Sequence, residues 1–379
     1  MNREEYINKA KEQFEKLLRE QLERCDRMGN EDSVTSGEGM ITIGLIDGDG
    51  IGPIIMKEAG LLLEKLLEDE IKAGKVCLKK IEGLTIRNRM ARGQSVPQDV
   101  LAEIKRCDVI LKGPTETPKG GTMESANVTL RRELDLYANV RPVNVPELGI
   151  DWTFFRENTE GEYVLGSRGI EIPGCLAMDF KVTTDKGTER IARAAFDYAE
   201  KNGKDSVSIV TKANIMKKTD GRFSEICRRV AEDYPSVKAE DWYVDIMAAN
   251  LVNPNMRSQF QVFVLPNLYG DIITDEAAEI QGGVGTAGSA NLGDRYAMFE
   301  AIHGTAPRMM EDGLQDYVNP MSIFKAAEMM LRHLGYADIA ERLRSALEMA
   351  QREEAPKVTG FRDGNTTKEL TEYIYSYIF

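Results

Sequence analysis

From residue 40 onward, short runs rich in Val, Ile and Leu alternate with stretches whose apolar residues recur every three or four positions. The predicted strands cover residues 40–46, 76–81, 108–112, 206–212 and 261–266, and the predicted helices cover 53–67, 97–106, 222–234, 320–334 and 338–353. Such alternation is typical of an α/β fold in which helices cover a largely parallel sheet. Because 379 residues exceed the size at which one hydrophobic core usually keeps growing, we expect two lobes.

Residues 3–28 carry a separate pattern, in which apolar residues recur at helical spacing and charged residues take the other positions. The apolar stripe consists of Tyr6, Ala10, Phe14, Leu17, Leu18, Leu22 and Cys25. It predicts an amphipathic helix that docks on the body of the protein or on a sister subunit, with recruitment of a different protein as the less favoured alternative. Residues 29–39, rich in Gly, Ser, Asn and Asp, predict a linker.

Composition excludes several classes of function. The chain has 62 acidic and 49 basic residues, a formal net charge of -13, and no Lys/Arg-rich run, so nucleic acid is not an expected partner. Five cysteines without a C-x-x-C pair indicate neither a disulfide framework nor a zinc site. No apolar run approaches the roughly 20 residues that cross a bilayer, and no signal peptide is evident. We therefore expect a cytoplasmic protein with no membrane partner.

The sequence GDGIGP, Gly48–Pro53, lies between a predicted strand and a predicted helix. A dinucleotide-binding fingerprint needs glycine at the first, third and sixth positions, but Pro53 occupies the sixth. We therefore favour a tight strand-to-helix turn, with the proline preset for the first helical turn.

Polar residues are concentrated in a few later segments. LKGPTETPKGGTMESANVTLRRELDLYANVRPV (residues 111–143) and FFRENTEGEY (154–163) contain Arg131, Arg141 and Arg156. Three arginines suit a polycarboxylate ligand because each guanidinium grips a carboxylate with paired hydrogen bonds. FVLPNLYGDIITDEAAE (263–279) puts Asp271 and Asp275 on one helical face, where two carboxylates in a first turn are often only helix-dipole partners or an N-cap.

With TKANIMKKTDGRF (residues 211–223), DWYVDIMAANLV (241–252), FEAIHGTAPRM (299–309) and YVNP (317–320), these segments resemble the isocitrate/isopropylmalate dehydrogenase family, the decarboxylating β-hydroxyacid dehydrogenases. The resemblance is strongest to isocitrate dehydrogenases. It implies an isopropylmalate dehydrogenase-like α/β fold that is not a standard Rossmann fold. The expected domains are a large, parallel-sheet, cofactor-binding domain (residues 39–136 and 283–379) and a smaller dimerisation domain (137–282) with a strand clasp near 167–183. Residues 1–38 would precede both.

The resemblance also implies roles for individual residues. Substrate binding falls to Ser125, Asn127, Arg131, Arg141 and Arg156, and catalysis to Tyr163 and Lys212. Mg²⁺ or Mn²⁺ would be bound by Asp271, Asp275 and, from the other subunit, Asp245. Cofactor binding falls to Lys112, Thr117, Asn214, His303, Gly304, Thr305, Ala306, Arg308 and Asn319.

The activity so implied is oxidative decarboxylation of isocitrate to 2-oxoglutarate and CO₂, with hydride transfer to NAD⁺ or NADP⁺, in a homodimer with shared active sites or a higher homo-oligomer. Ser125 and Asn127 favour isocitrate because they offer hydrogen bonds to a third carboxylate. The alternatives are an isopropylmalate, homoisocitrate or tartrate dehydrogenase, or a non-catalytic regulatory subunit. Arg308 stands where NAD-using relatives commonly have Asp and could pair with a 2′-phosphate, so NAD and NADP both stay open.

Overall fold

The structure is a computed structural model that describes residues 3–28, 39–118, 123–166 and 168–379. Its strands are β1 (Ile41–Ile46), β2 (Val76–Lys80), β3 (Val109–Lys112), β4 (Ala138–Val145), β5 (Ile150–Glu157), β6 (Ile170–Ile172), β7 (Leu176–Met178), β8 (Ser206–Thr211), β9 (Lys238–Tyr243), β10 (Val262–Leu265), β11 (Gly288–Leu292) and β12 (Ala297–Ala301).

The helices are α1 (Arg3–Arg27), α2 (Gly52–Leu66), α3 (Glu68–Lys72), α4 (Ile86–Arg92), α5 (Gln98–Ile104), α6 (Ala126–Glu133), α7 (Asp185–Lys201), α8 (Thr219–Ala231), α9 (Val244–Val252), α10 (Asn267–Ile280), α11 (Pro307–Glu311), α12 (Met321–His333), α13 (Ala337–Gln351) and α14 (Thr367–Ile378). The α/β class is confirmed, and every predicted strand and helix is present with ends shifted by at most three residues. The predicted linker lies outside the described residues, apart from Gly39.

The described residues form two compact units, and the chain passes from one to the other within β5 and within α10. Unit 1 contains the described part of residues 1–35 together with Phe154–Ile273, and unit 2 contains the described part of 36–153 together with Thr274–Phe379. The domain borders predicted from the sequence lie between residues 136 and 137 and between residues 282 and 283. Residues 138–145 belong to unit 2 because β4 pairs with β11 of that unit.

In unit 2 the strand order is β2-β1-β3-β12-β11-β4. The first four strands are mutually parallel, whereas β11 runs antiparallel to both β12 and β4, so the sheet is mixed. The prediction of a largely parallel sheet did not include this antiparallel strand. Helix α12 packs on β11 and β12, and it buries Phe324 and Met330 completely. Because β1, β3 and β12 are parallel, their carboxyl ends emerge at one edge of the sheet.

In unit 1 the strand order is β5-β10-β8-β9, and both β10 and β9 run parallel to β8. Phe154 of β5 stacks on Phe263 of β10, with ring centroids 4.3 Å apart. Helices α7 and α8 pack against β8 and against each other. The carboxyl ends of β8, β9 and β10 lead directly into Lys212, the first turn of α9 and the start of α10.

Helix α1 belongs to unit 1, and its docking on the body of the protein is confirmed. Leu17 is buried against Val164 and Leu165, and Phe180 and Val182 pack against the same cluster. Strands β6 and β7 form an antiparallel hairpin inside the predicted clasp, of which Ser167 lies outside the described residues.

No helix among the described residues is long and apolar enough to span a membrane. All five cysteines are free.

Candidate active site

In unit 2, one loop follows each of the strands β1, β3 and β12 at the carboxyl edge of the sheet. The loop after β1 is the GDGIGP turn, and it forms hydrogen bonds with the loops after β3 and β12. Asp49 N–H donates to Pro114 O at 2.7 Å, and Ile51 N–H donates to Thr305 O at 3.1 Å. A Cβ on Gly48 or Gly50, both at positive φ, would collide with those same carbonyl oxygens. The predicted strand-to-helix turn is confirmed, and its glycines permit the close approach of the neighbouring loops.

The carboxylate of Asp49 holds two further segments in the same region. It accepts hydrogen bonds from Ile86 N–H at 2.8 Å and from Glu116 N–H at 3.0 Å. These bonds fix the backbone just before Thr117, an exposed residue predicted to contact the cofactor. The Asp49 side chain therefore holds the loops of this edge in place through their backbone N–H groups.

Glu300 at the end of β12 links two of the predicted site residues, and the sequence analysis did not identify it. One carboxylate oxygen lies 3.1 Å from Lys112 Nζ, and the other lies 3.1 Å from Arg131 Nη2. Asn291 Nδ2 also donates to it at 2.9 Å. Burial would raise the pKa of Glu300, but the two cations and the hydrogen bonds lower that pKa to about 2.

Lys112 and Arg131 differ in what they can offer to a ligand. The Lys112 side chain is 0% exposed and also donates to Gly113 O at 2.8 Å, so it can affect a bound cofactor only through neighbouring groups. Arg131 instead has a buried Nε with no hydrogen-bond partner among the described residues. Buried polar atoms are normally paired, so this N–H is a candidate donor to a ligand.

Ser125 and Asn127 lie at the start of α6, on the same helix as Arg131. Ser125 occupies the N-cap position, but its hydroxyl does not cap the helix. Thr115 Oγ1 donates to Asn127 Oδ1 at 3.1 Å, an orientation that presents the Asn127 amide NH₂ as a donor.

Arg141 of β4 is held in a buried hydrogen-bonding network. Its Nε donates to Asn139 Oδ1 at 2.9 Å, while Nη1 donates to Thr274 Oγ1 at 2.6 Å and to Asp275 Oδ1 at 3.1 Å. The guanidinium is therefore fixed next to one of the predicted metal ligands.

Arg156 of β5 makes an equivalent contact with the other predicted metal ligand of α10. Its Nε and Nη2 donate to Asn267 Oδ1 at 3.0 and 2.7 Å, and Nη1 forms an ion pair with Asp271. Tyr163 OH donates to the second oxygen of Asp271 at 2.7 Å. The arginine predicted to bind substrate and the tyrosine predicted to be catalytic thus contact one carboxylate.

Lys212 follows β8 and contacts Asp245 in the first turn of α9, with 2.5 Å between Nζ and Oδ1. The hydrogen bond and the charge of Lys212 lower the pKa of Asp245. The backbone N–H of Lys212 donates to the buried carboxylate of Asp220 at 2.8 Å. Asp220, which the sequence analysis did not select, therefore fixes the end of the strand.

The remaining predicted cofactor residues of unit 2 lie in or near the loop after β12. His303 Nδ1 lies 3.0 Å from Gly304 O, which assigns the ring proton to Nδ1 and leaves buried Nε2 as an acceptor with no partner among the described residues. Burial lowers the pKa of His303, so the ring is neutral near pH 7. Ala306 takes a left-handed conformation at φ 45°, and Arg308 is exposed in α11.

The last two residues predicted to bind the cofactor are Asn319 and Asn214. Asn319 Oδ1 accepts a hydrogen bond from Met321 N–H at 3.0 Å at the start of α12. In unit 1, Asn214 is exposed in the turn after β8.

The carboxylates of Asp245, Asp271 and Asp275 are hard oxygen donors of the kind that Mg²⁺ and Mn²⁺ prefer. Asp271 and Asp275 lie one turn apart in α10 and project from one face. Within the described ranges, no three His, Cys, Asp or Glu side chains come together as a complete metal site. The donor chemistry therefore fits a divalent cation, with two of the three carboxylates on one helix.

Comparison with known proteins shows which family the chain belongs to. Residues 42–374 match the family described as isocitrate/isopropylmalate dehydrogenase. The mitochondrial isocitrate dehydrogenase (NAD) subunit 2 of Schizosaccharomyces pombe is 36% identical over 329 residues, which cover 84% of this chain and 82% of the relative. Homoisocitrate dehydrogenase of Methanocaldococcus jannaschii is 36% identical over 362 residues, which cover 89% of this chain and 98% of the relative.

Among solved structures, isocitrate dehydrogenase from Methylococcus capsulatus matches with a TM-score of 0.79 and 35% identity, covering 89% of this chain and 99% of that one. Members of the matched family use NAD or NADP together with a divalent metal cation. The chain therefore belongs to the isocitrate/isopropylmalate dehydrogenase family, a family of oxidoreductases.

Proposed function

We propose that this protein is an isocitrate dehydrogenase that converts isocitrate to 2-oxoglutarate and CO₂ and reduces NAD⁺ or NADP⁺. The observation that carries the proposal is the pairing along α10, where Asp271 contacts Arg156 and Asp275 contacts Arg141. These two carboxylates, suited to a metal cation, thus each lie beside a guanidinium suited to a substrate carboxylate. A metal chelated by an anionic substrate needs this combination of charges.

The choice of isocitrate rests on the start of α6. The Ser125 hydroxyl does not cap the helix, and the Asn127 amide presents its NH₂ group, so both can donate to the third carboxylate that distinguishes isocitrate from isopropylmalate. The Nε–H of Arg131, which has no hydrogen-bond partner in the part of the chain that the structure describes, adds a charged donor on the same helix. Homoisocitrate, which also has three carboxylates, is the second candidate, supported by the homoisocitrate dehydrogenase among the relatives.

The proposed chemistry assigns a step to each polar group. Arg131, Arg141 and Arg156 hold the substrate carboxylates, and Lys212, contributed from the neighbouring subunit, assists the deprotonation of the substrate hydroxyl. When bound, the nicotinamide accepts the hydride and the divalent cation offsets negative charge on the substrate oxygens. After CO₂ leaves, Tyr163 OH donates a proton to the carbon that carried it.

The cofactor would lie at the carboxyl edge of unit 2, where β1, β3 and β12 end. There His303 Nε2 is an acceptor suited to the amino group of adenine, and Asn319 lies at the start of α12. Arg308 is exposed and could pair with a 2′-phosphate, whereas the FRENTEGEY and TKAN segments are closer to NAD-type relatives, so NAD and NADP are both candidates.

A homodimer would complete each site, with Asp245 supplied to the metal of the neighbouring subunit. Two features of unit 1 support the assembly. The β7 strand exposes Leu176 and Met178, and α9 exposes Ile246 and Val252. Exposed large apolar residues of this kind mark protein contacts when they cluster.

The test is a spectrophotometric assay of the purified protein with Mg²⁺ or Mn²⁺, each nicotinamide, and isocitrate, homoisocitrate, isopropylmalate and tartrate in turn. We expect the highest kcat/KM with isocitrate, and a higher value for isopropylmalate would overturn the assignment. The Lys212→Met variant, which lacks the proposed base, is the matched control for contaminating activity. No turnover of any of the four substrates by the unaltered protein would instead support a regulatory subunit.

A further inference from the structure

Helix α1 takes no part in the proposed chemistry, yet its contacts fall on both sides of Tyr163. The first contact involves Arg24, whose Nη2 donates to Glu160 Oε1 at 3.2 Å and to Thr159 O at 3.4 Å. The Glu160 side chain is only 3% exposed, so this is a buried ion pair between α1 and the chain three residues before Tyr163.

Glu160 lies in a crowded anionic turn and needs a cation. Glu157 precedes it and accepts hydrogen bonds from the Glu160 and Thr159 backbone N–H groups at 2.7 and 2.9 Å. Burial and the charge of Glu157 raise the pKa of Glu160 to about 7, and Arg24 opposes that rise. Thr184 N–H donates to the other Glu160 oxygen at 2.8 Å. Loss of Arg24 would leave a buried carboxylate without its cation, which destabilises the whole turn.

The second contact lies on the other side of Tyr163. Leu17 is 4% exposed and packs against Val164 and Leu165, the two residues that follow the tyrosine. One turn earlier, Gln13 Nε2 donates to Arg168 O at 2.9 Å and to Gly169 O at 2.7 Å. An apolar contact and two hydrogen bonds therefore hold the chain after Tyr163 to the same helix.

We infer that α1 is a positioning element for the loop that carries Tyr163, with Arg24 and Leu17 as the positioning residues. The inference rests on the proposed role of Tyr163 as a proton donor. The tyrosine hydroxyl is held at its far end by Asp271, but the backbone on either side of it is held by α1. Because proton transfer requires placement within hydrogen-bond distance, a loosened backbone lowers the rate of the step that Tyr163 performs.

The test compares Arg24→Met and Leu17→Ala with Arg19→Met in the full-length protein. Arg19 lies on the same helix, but its side chain is 72% exposed and pairs only along the helix with Glu15 among the described contacts. The first readout is amide hydrogen exchange of residues 158–166, which needs no substrate. We expect faster exchange in Arg24→Met and Leu17→Ala and an unchanged rate in Arg19→Met.

The second readout separates two partial reactions of oxalosuccinate, the β-keto acid formed from isocitrate by hydride transfer. In Arg24→Met we expect the decarboxylation of oxalosuccinate to 2-oxoglutarate to slow on the order of tenfold, because small displacements of a catalytic group lower a rate by large factors. The reduction of oxalosuccinate by NAD(P)H should change by less than about twofold, because Tyr163 is not assigned to that step. Adding Glu160→Gln to Arg24→Met removes the unpaired charge and should restore part of the lost rate.

Unchanged exchange in both altered proteins would overturn the inference, and so would an equal loss of both partial reactions. The two readouts also separate this inference from the proposed function. If the unaltered protein does not act on isocitrate, the proposed function fails, and hydrogen exchange still decides whether α1 holds the Tyr163 loop.

Discussion

Replacing Glu300 with Gln should destabilise the protein by about 3 kcal/mol. Glu300 forms ion pairs with both Lys112, which is 0% exposed, and Arg131. Its pKa falls from 4.5 to about 2 in the fold, and each tenfold change in a protonation equilibrium corresponds to about 1.4 kcal/mol. Removing one partner of a buried pair costs about 3–5 kcal/mol, a range that agrees with this figure.

The sign of the pH dependence follows from the lowered pKa. A carboxylate whose folded pKa is depressed stabilises the fold above its unfolded pKa and loses that contribution as the pH falls through the folded value. The difference between Glu300→Gln and the unaltered protein should therefore be nearly constant from pH 8 to pH 5 and shrink below about pH 4.5.

Urea unfolding followed by circular dichroism at pH 7 measures this difference. Glu311→Gln is the matched control, since Glu311 is exposed in α11, and we expect a change below about 0.5 kcal/mol there. Lys112→Met combined with Glu300→Gln should recover part of the loss because the buried ammonium is removed as well. A loss below about 1 kcal/mol for Glu300→Gln would refute the idea that this carboxylate compensates the charges of Lys112 and Arg131.

Three further predictions concern the cofactor, the metal and pH. Arg308→Asp should raise the ratio of kcat/KM for NAD to that for NADP, and an unchanged ratio would show that Arg308 does not contact the 2′-phosphate. Asp275→Asn should weaken Mn²⁺ binding by at least about tenfold in calorimetry, whereas Glu279→Gln, one turn further along α10, should not. Equal Mn²⁺ affinities of the two variants would show that Asp275 is not a metal ligand. Because the folded pKa of Glu160 is raised to about 7, its contribution to stability is fully present below about pH 4.5 and is lost as the pH rises through 7. The stability of Glu160→Gln should therefore increase relative to that of the unaltered protein between pH 5 and pH 8.5. If the urea midpoints of the two proteins differ by the same amount at pH 5 and at pH 8.5, the prediction is wrong.

Elements with strong periodic patterns were predictable, and elements without them were not. Strand β1 and helix α2 follow runs whose period alone indicates their type. Strand β11, with the sequence GSANL, has few residues of high strand propensity, and it forms because β12 and β4 supply hydrogen bonds on both sides. Helix α14 begins with a capping box of Thr366 and Glu369, a local signal in the sequence that the predicted helices did not include.

The chemistry that the chain can perform is specified by its amino-acid sequence. The arginines, the lysine, the tyrosine and the aspartates lie in short motifs whose order identifies the family, because residue type and spacing are properties of the chain alone. The fold, in contrast, determines which of these charged and polar groups lie close enough to form ion pairs and hydrogen bonds with one another. Glu300 lies 169 residues from its partner Arg131, and Asn267 lies 111 residues from Arg156, so no local pattern could have paired them.

The same reason applies to α1. Its amphipathic period predicted a docked helix, but only the fold places Arg24 on Glu160, 136 residues away, and Leu17 against Val164. A buried charge must be compensated by whichever group the fold brings within reach, and that group is not specified by its neighbours in sequence.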